Sequence, residues 1–236
     1  MKSPIIISII SYNLLKSERD YIKEFQPFAI ILFSKNIKSL LQLKKLVSSI
    51  KLQSPSTLLF IDQESGIVDR FKFFKDLNFL DNYEYYKIYL KNKKLAKVLI
   101  FLKSYITSYY LREWGFHSNT VPVLDVPMHK TAKFIRQRTF GSDLKIIKKL
   151  NNIIVLNNFQ FNLLPVIKHI PGHGCATSDS HFKMPKVNLN KNYLNKNDFL
   201  PFKNNSAKLA MTAHILFRKI DNKNVATFSK KIIKEI

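Results

Sequence analysis

Six short apolar runs punctuate the chain: "PIIISII" (4–10), "FAIILF" (28–33), "TLLFID" (57–62), "VPVLDV" (121–126), "LLPVIKHI" (163–170) and "LAMTAHILF" (209–217). Each is too short for a helix and rich in β-branched or aromatic residues, so each predicts a strand. The intervening stretches change to helical spacing. A capping-box start at Ser17 with Asp20 predicts a short first helix. Ile37, Leu40, Leu41, Val47 and Ile50 predict a second helix from about Asn36. Leu95, Val98, Leu102, Ile106 and Tyr109 fall on one face of a long helix stopped by Gly115, and a further helix spans about 143–157. Near-continuous apolar strands alternating with helices mean a parallel sheet covered on both faces.

Polar residues choose between the two parallel architectures. Asp62 with Gln63 and Glu64, Asp125, Lys168 with His169, and His214 stand at or just past the ends of successive runs. A (β/α)8 barrel builds its site in that way, one strand end at a time. An open doubly wound sheet would gather them after a glycine-rich first turn, and the sequence has none. The expected fold is therefore α/β, a TIM-type (β/α)8 barrel, with residues 1–236 as a single domain containing about six of the strands.

Composition narrows the setting. The 39 Lys+Arg against 16 Asp+Glu give a net charge of +23. The lysines run from Lys2 to Lys234 without an aromatic-and-arginine stripe or a helix-turn-helix pattern, which reads as a solvated surface and not as a nucleic-acid site. The single cysteine, Cys175, excludes an intrachain disulfide and fits a reducing compartment. No run approaches the length of a membrane span, and the N-terminal apolar run reads as a strand and not a signal peptide. A cytoplasmic protein with no membrane or nucleic-acid partner is the expectation.

The densest chemistry is "KHIPGHGCATSDSH" (168–181), which holds two of the 5 glycines and three of the 6 histidines. Pro171 to Gly174 form a turn needing glycine's freedom. Asp179 and His181, two apart, can pair so that the carboxylate fixes the imidazole tautomer and raises its basicity. Four histidines, His169, His173, His181 and His214, could in principle ligate zinc, but their spacing matches no zinc signature.

The full string resembles the signature of the β-N-acetylhexosaminidases of glycoside hydrolase family 3. "AIILFSKNI" (29–37), "IDQESGIVDRF" (61–71), "VPVLDV", "IRQRTFGSD" (135–143) and "MTAHI" (211–215) are similar to that family's other motifs. The resemblance implies retaining hydrolysis of terminal β-linked N-acetylglucosamine from muropeptides, without a metal or other cofactor, by a monomer if complete. It implies substrate contacts from Asp62, Arg70, Arg138, Lys168 and His169, with His181 as acid/base and Asp179 as its partner; His173 and His214 are expected to line the site.

Two departures stand out. Ser65 replaces the first glycine of the family's pair, which strains the turn if φ is positive there, and Ile67 replaces an arginine. The family's aspartate nucleophile belongs to an "SDD" string ending a seventh strand, and no such string occurs here, while 225–236 resembles only the helix before that strand. The expectations are thus a barrel short of its last strands and, as the alternative to an active enzyme, a sugar-binding protein without turnover.

Overall fold

A computed structural model describes residues 3–177 and 184–235. Six strands form one parallel sheet: β1 (Ser3–Ser8), β2 (Pro27–Leu32), β3 (Leu58–Ile61), β4 (Ser118–Asn119), β5 (Leu164–Ile170) and β7 (Leu209–Thr212), ordered β1-β2-β3-β4-β5-β7. Between β5 and β7 lie β6 (Lys186–Val187) and helix α7 (Lys191–Lys196); β6 pairs in parallel with β8 (Leu216–Phe217) as a small side ladder. The outer layer consists of α1 (Lys16–Phe25), α2 (Leu40–Gln53), α3 (Asn82–Lys91), α4 (Lys93–Glu113), α5 (Lys133–Gln137) and α6 (Leu144–Gln160), with α8 (Lys230–Glu235) near the end. The arrangement is the expected α/β half-barrel.

Burial explains why the strands read as unbroken apolar runs. The convex face of β1 to β3 meets α2 and the end of α4 through Ile30, Leu32, Leu43, Leu46, Ile50, Leu59 and Trp114. A second cluster, Ala29, Phe60 and Val166, joins Leu209 and Met211 on other strands. Residues of β2 and β3 are therefore dry on both faces, and alternation disappears.

Several boundaries differ from expectation, each for a local reason. The box at α1 is shifted: the Glu18 carboxylate accepts the N–H groups of Leu15 (2.9 Å) and Ile10 (2.8 Å), so Leu15 and not Ser17 precedes the helix. Asn36 does not open α2. It is fully buried, donates from Nδ2 to the carbonyls of Ile9 and Ser11, and accepts from the Phe33 N–H, tying the end of β2 to the loop after β1. Ser39 caps α2 instead. The fourth strand sits at Ser118–Asn119, ahead of "VPVLDV". That segment still runs beside β5, accepting from Val166 N–H at the Val121 carbonyl and donating from Leu124 N–H to Lys168, but Pro122 supplies no donor and the regular ladder ends. "LAMTAHILF" is divided between β7 and β8.

In α4 the face marked by Leu95, Val98, Leu102 and Tyr109 is exposed, and the buried face is Ala96, Ile100, Lys103, Ser104, Thr107, Ser108 and Leu111. Small and hydroxyl-bearing residues allow α4 to lie close against α6. There, Asn157 Nδ2 donates to Ser104 Oγ (2.5 Å) and to the Phe101 carbonyl (3.0 Å).

Candidate active site

Strand ends and the loops beyond them place four charged side chains and one imidazole around one pocket. Asp62 follows β3, Lys168 and His169 lie in β5, and Arg70 and Arg138 reach in from the loops after β3 and α5. The pocket has a volume of about 530 Å³, within the range that holds small ligands, and is also lined by Glu64, His173, His214, Phe33 and Met211. All seven predicted site residues that fall within the described chain therefore line one cavity. Asp179 and His181 lie outside the described residues.

The charges form one connected network. Lys168, 1% exposed, places Nζ 2.7 Å from Asp62 Oδ1 and 2.5 Å from Glu64 Oε1. Arg138 grips Glu64 with a two-pronged contact, Nε to Oε2 and Nη2 to Oε1, both at 2.8 Å. Thr120 Oγ1 also donates to Asp62, and Arg70 Nη2 lies 3.4 Å from Asp62 Oδ2. Burial alone would raise both carboxyls. The charges of Arg138 and Lys168 outweigh it at Glu64, as Lys168 does at Asp62, and both are held below the usual carboxylate range.

His169 is fixed from both sides. Arg138 Nη2 lies 3.2 Å from Nε2, and a guanidinium can only donate, so Nε2 accepts and Nδ1 carries the hydrogen donated to Asp125 Oδ2 at 2.7 Å. Burial, with the nearby charges of Arg138 and Lys168, overcomes the attraction of Asp125 and pushes the imidazole down to about 4. Asp125 is fully buried and also accepts the backbone N–H groups of His169 (3.2 Å) and His173 (2.8 Å). Burial would raise its carboxyl, but His169 and these donors hold it at about 2.

The glycines of the "PGHG" turn serve close approach. A side chain at Gly172, whose φ is +152°, would press on Asp198, and one at Gly174 would enter the backbone of Val126. Asp198 Oδ2 in turn accepts the Cys175 N–H at 3.3 Å, and burial together with Asp125 pushes the Asp198 carboxyl up to about 7. Ser65 adopts φ +91°, so the strain expected there is present, and its hydroxyl donates to the Leu80 carbonyl at 2.9 Å.

Sequence reasoning did not assign Glu64, Thr120 or Asp198. Glu64 stood in the quoted "IDQESGIVDRF" string, whereas Thr120 carried no signal beyond neighbouring "VPVLDV" and Asp198 carried none. Among the described residues no group of three or more His, Cys, Asp or Glu is arranged to hold a metal ion, and both ring nitrogens of His169 are engaged.

Comparison with known proteins bears on what such a pocket serves. Residues 6–236 match the profile described as the glycosyl hydrolase family 3 N terminal domain. A protein named beta-hexosaminidase from Nitrosospira multiformis is 29% identical over 223 residues, covering 92% of this chain and 63% of the relative. Another of that name from Methylobacillus flagellatus is 28% identical and covers 99% and 67%. The chain thus spans about two thirds of the length of these relatives. In fold it is similar to NagZ from Neisseria gonorrhoeae in complex with N-trifluoroacetyl-D-glucosamine, with a TM-score of 0.89 at 24% identity over 99% of this chain and 69% of that one. A family 3 beta-N-acetylglucosaminidase from a Paenibacillus strain gives a TM-score of 0.84 at 24% identity over 97% and 44%.

Proposed function

The chain belongs to glycosyl hydrolase family 3 through that family's N-terminal domain, and from that premise we propose that it serves the removal of terminal β-linked N-acetylglucosamine from muropeptide fragments in a cytoplasmic, cell-wall-recycling setting. The observation that carries the reading is the convergence of Asp62, Arg70, Arg138, Lys168 and His169 on one pocket of monosaccharide scale. Asp62 accepts hydrogen bonds from ring hydroxyls and Arg70 and Arg138 donate to them, while Lys168 and His169 hold these groups in place. Arg70 Nε is buried with no hydrogen-bond partner among the described residues and is the donor most in need of one.

In this reading His181, oriented by Asp179, gives its proton to the departing glycosidic oxygen and later takes one from the attacking water. A retaining route also needs a carboxylate nucleophile. Asp62 and Glu64 are committed to cations and Asp125 is sealed beneath His169, so we assign that role to none of them. That commitment supports a second reading, in which residues 1–236 bind the sugar and turn nothing over.

Calorimetric titration with N-acetylglucosamine, beside an assay with a chromogenic β-N-acetylglucosaminide, tests both. Turnover abolished by His181→Ala supports hydrolysis. Binding lost in Arg138→Lys with no turnover in the parent supports the second reading. Absence of both binding and turnover overturns the two together.

A further inference from the structure

The outer face of α4 is the clearest feature that the pocket does not use. Leu95, Val98, Leu102 and Tyr109 recur at helical spacing and are 45–48% exposed; Phe101 lies beside them, and Leu90 in the last turn of α3 is 60% exposed. The charges around this stripe are mostly positive, with Glu84 and Glu113 at its two ends. Between residues 85 and 112 the sequence has Lys87, Lys91, Lys93, Lys94, Lys97, Lys103 and Arg112 and no Asp or Glu. Lys103 points inward and Lys87 pairs with Glu84 at 2.7 Å; Lys91, Lys93, Lys94 and Arg112 are exposed and Lys97 is half-buried.

We propose that this face docks on an anionic lipid surface. Aliphatic and aromatic side chains flanked by lysines are the combination that seats at the boundary between headgroups and acyl chains, the lysines reaching phosphate while the apolar stripe enters beneath it. A second copy of a chain carrying +23 would set lysine against lysine. A nucleic acid would use the lysines and leave the leucines, valine and phenylalanine idle in water. No described helix is long and apolar enough to cross a membrane, and docking in the plane of the surface needs none.

The test is co-sedimentation of the whole chain with phosphatidylcholine vesicles, with and without about 30% phosphatidylglycerol. The anionic vesicles should bind at least about tenfold more tightly, and the difference should shrink as salt shortens the screening length. Leu95→Glu with Leu102→Glu should weaken that binding at least about tenfold, as should Lys93→Ala with Lys94→Ala and Lys97→Ala. Leu41→Glu with Leu52→Glu, on the exposed face of α2, makes the same change of charge elsewhere and should leave binding unchanged. Unchanged melting temperatures certify that the variants fold.

Equal binding to neutral and anionic vesicles overturns the proposal. So does a loss of the same size in the α2 control, which reduces the effect to net charge. A concentration-dependent dimer abolished by Leu95→Glu with Leu102→Glu assigns the face to a second copy, and binding to duplex DNA without binding to vesicles assigns it to nucleic acid; either outcome overturns lipid docking.

Discussion

Ser65 shows what a single departure from a family pattern does at the level of one residue. Its φ of +91° lies where L-residues meet their own backbone, at a cost of roughly 1–2 kcal/mol, while the hydroxyl bond to the Leu80 carbonyl recovers about 1 kcal/mol. Alanine keeps the strain and loses the bond. Glycine also loses the bond but releases the strain, and its greater freedom in the unfolded chain takes back only part of that gain. Ser65→Gly should therefore be more stable than Ser65→Ala by about 1 kcal/mol in chemical denaturation, reversing the order found at ordinary positions. Equal stabilities, or alanine the more stable, would mean that the turn relaxes to negative φ. This residue was legible from sequence because a motif with fixed glycines surrounds it. Asp198, equally buried, was not legible, because nothing local marks a carboxylate that serves a turn far along the chain.

At the scale of elements, the spacing in α4 announces the helix and not the face it buries. Its apolar residues follow helical spacing as a core face would, yet tight packing on α6 selected the small and hydroxyl-bearing face, and one consequence is a buried lysine. Lys103 Nζ lies 2.7 Å from Asn82 Oδ1 and 5.2 Å from the Tyr85 ring, with no carboxylate in contact among the described residues. Burial pushes its amine down to about 7 from the ordinary 10.5. Between those values the unfolded chain keeps the proton and the folded chain has released it, so stability rises with pH across the window. Below about 7 the folded protein carries the full cost of a buried cation. Lys103→Met retains the length of the side chain and cannot titrate. Urea midpoints measured from about 7 to 10.5 should climb in the parent and lose that component of slope in the variant, even though Asn82 forfeits its donor. Matching slopes in the two proteins would place the lysine in contact with solvent.

For the whole molecule, the order of strands followed from sequence because each apolar run has to be dry on both faces, and because the polar residues sit at successive strand ends. Boundaries were less legible wherever a neighbour overrode local pattern, as Pro122 does by ending a ladder and Asn36 by bonding to two distant carbonyls. The sheet that results has β1 and β7 at its two edges, and Ile5 and Ile6 of β1 stand exposed while the β2 residues beside them are largely buried. An edge strand with solvent on one side opens locally without disturbing the interior strands, whose exchange requires global unfolding. Amides of Ile6 to Ser8 should accordingly exchange at least about 100-fold faster than those of Ala29 to Leu32 under native conditions. Protection in β1 equal to that in β2 would mean that this edge is covered in solution by another strand, from the same protein or from a partner. The measurement thus reads directly whether six strands act as an open sheet or as part of a closed barrel.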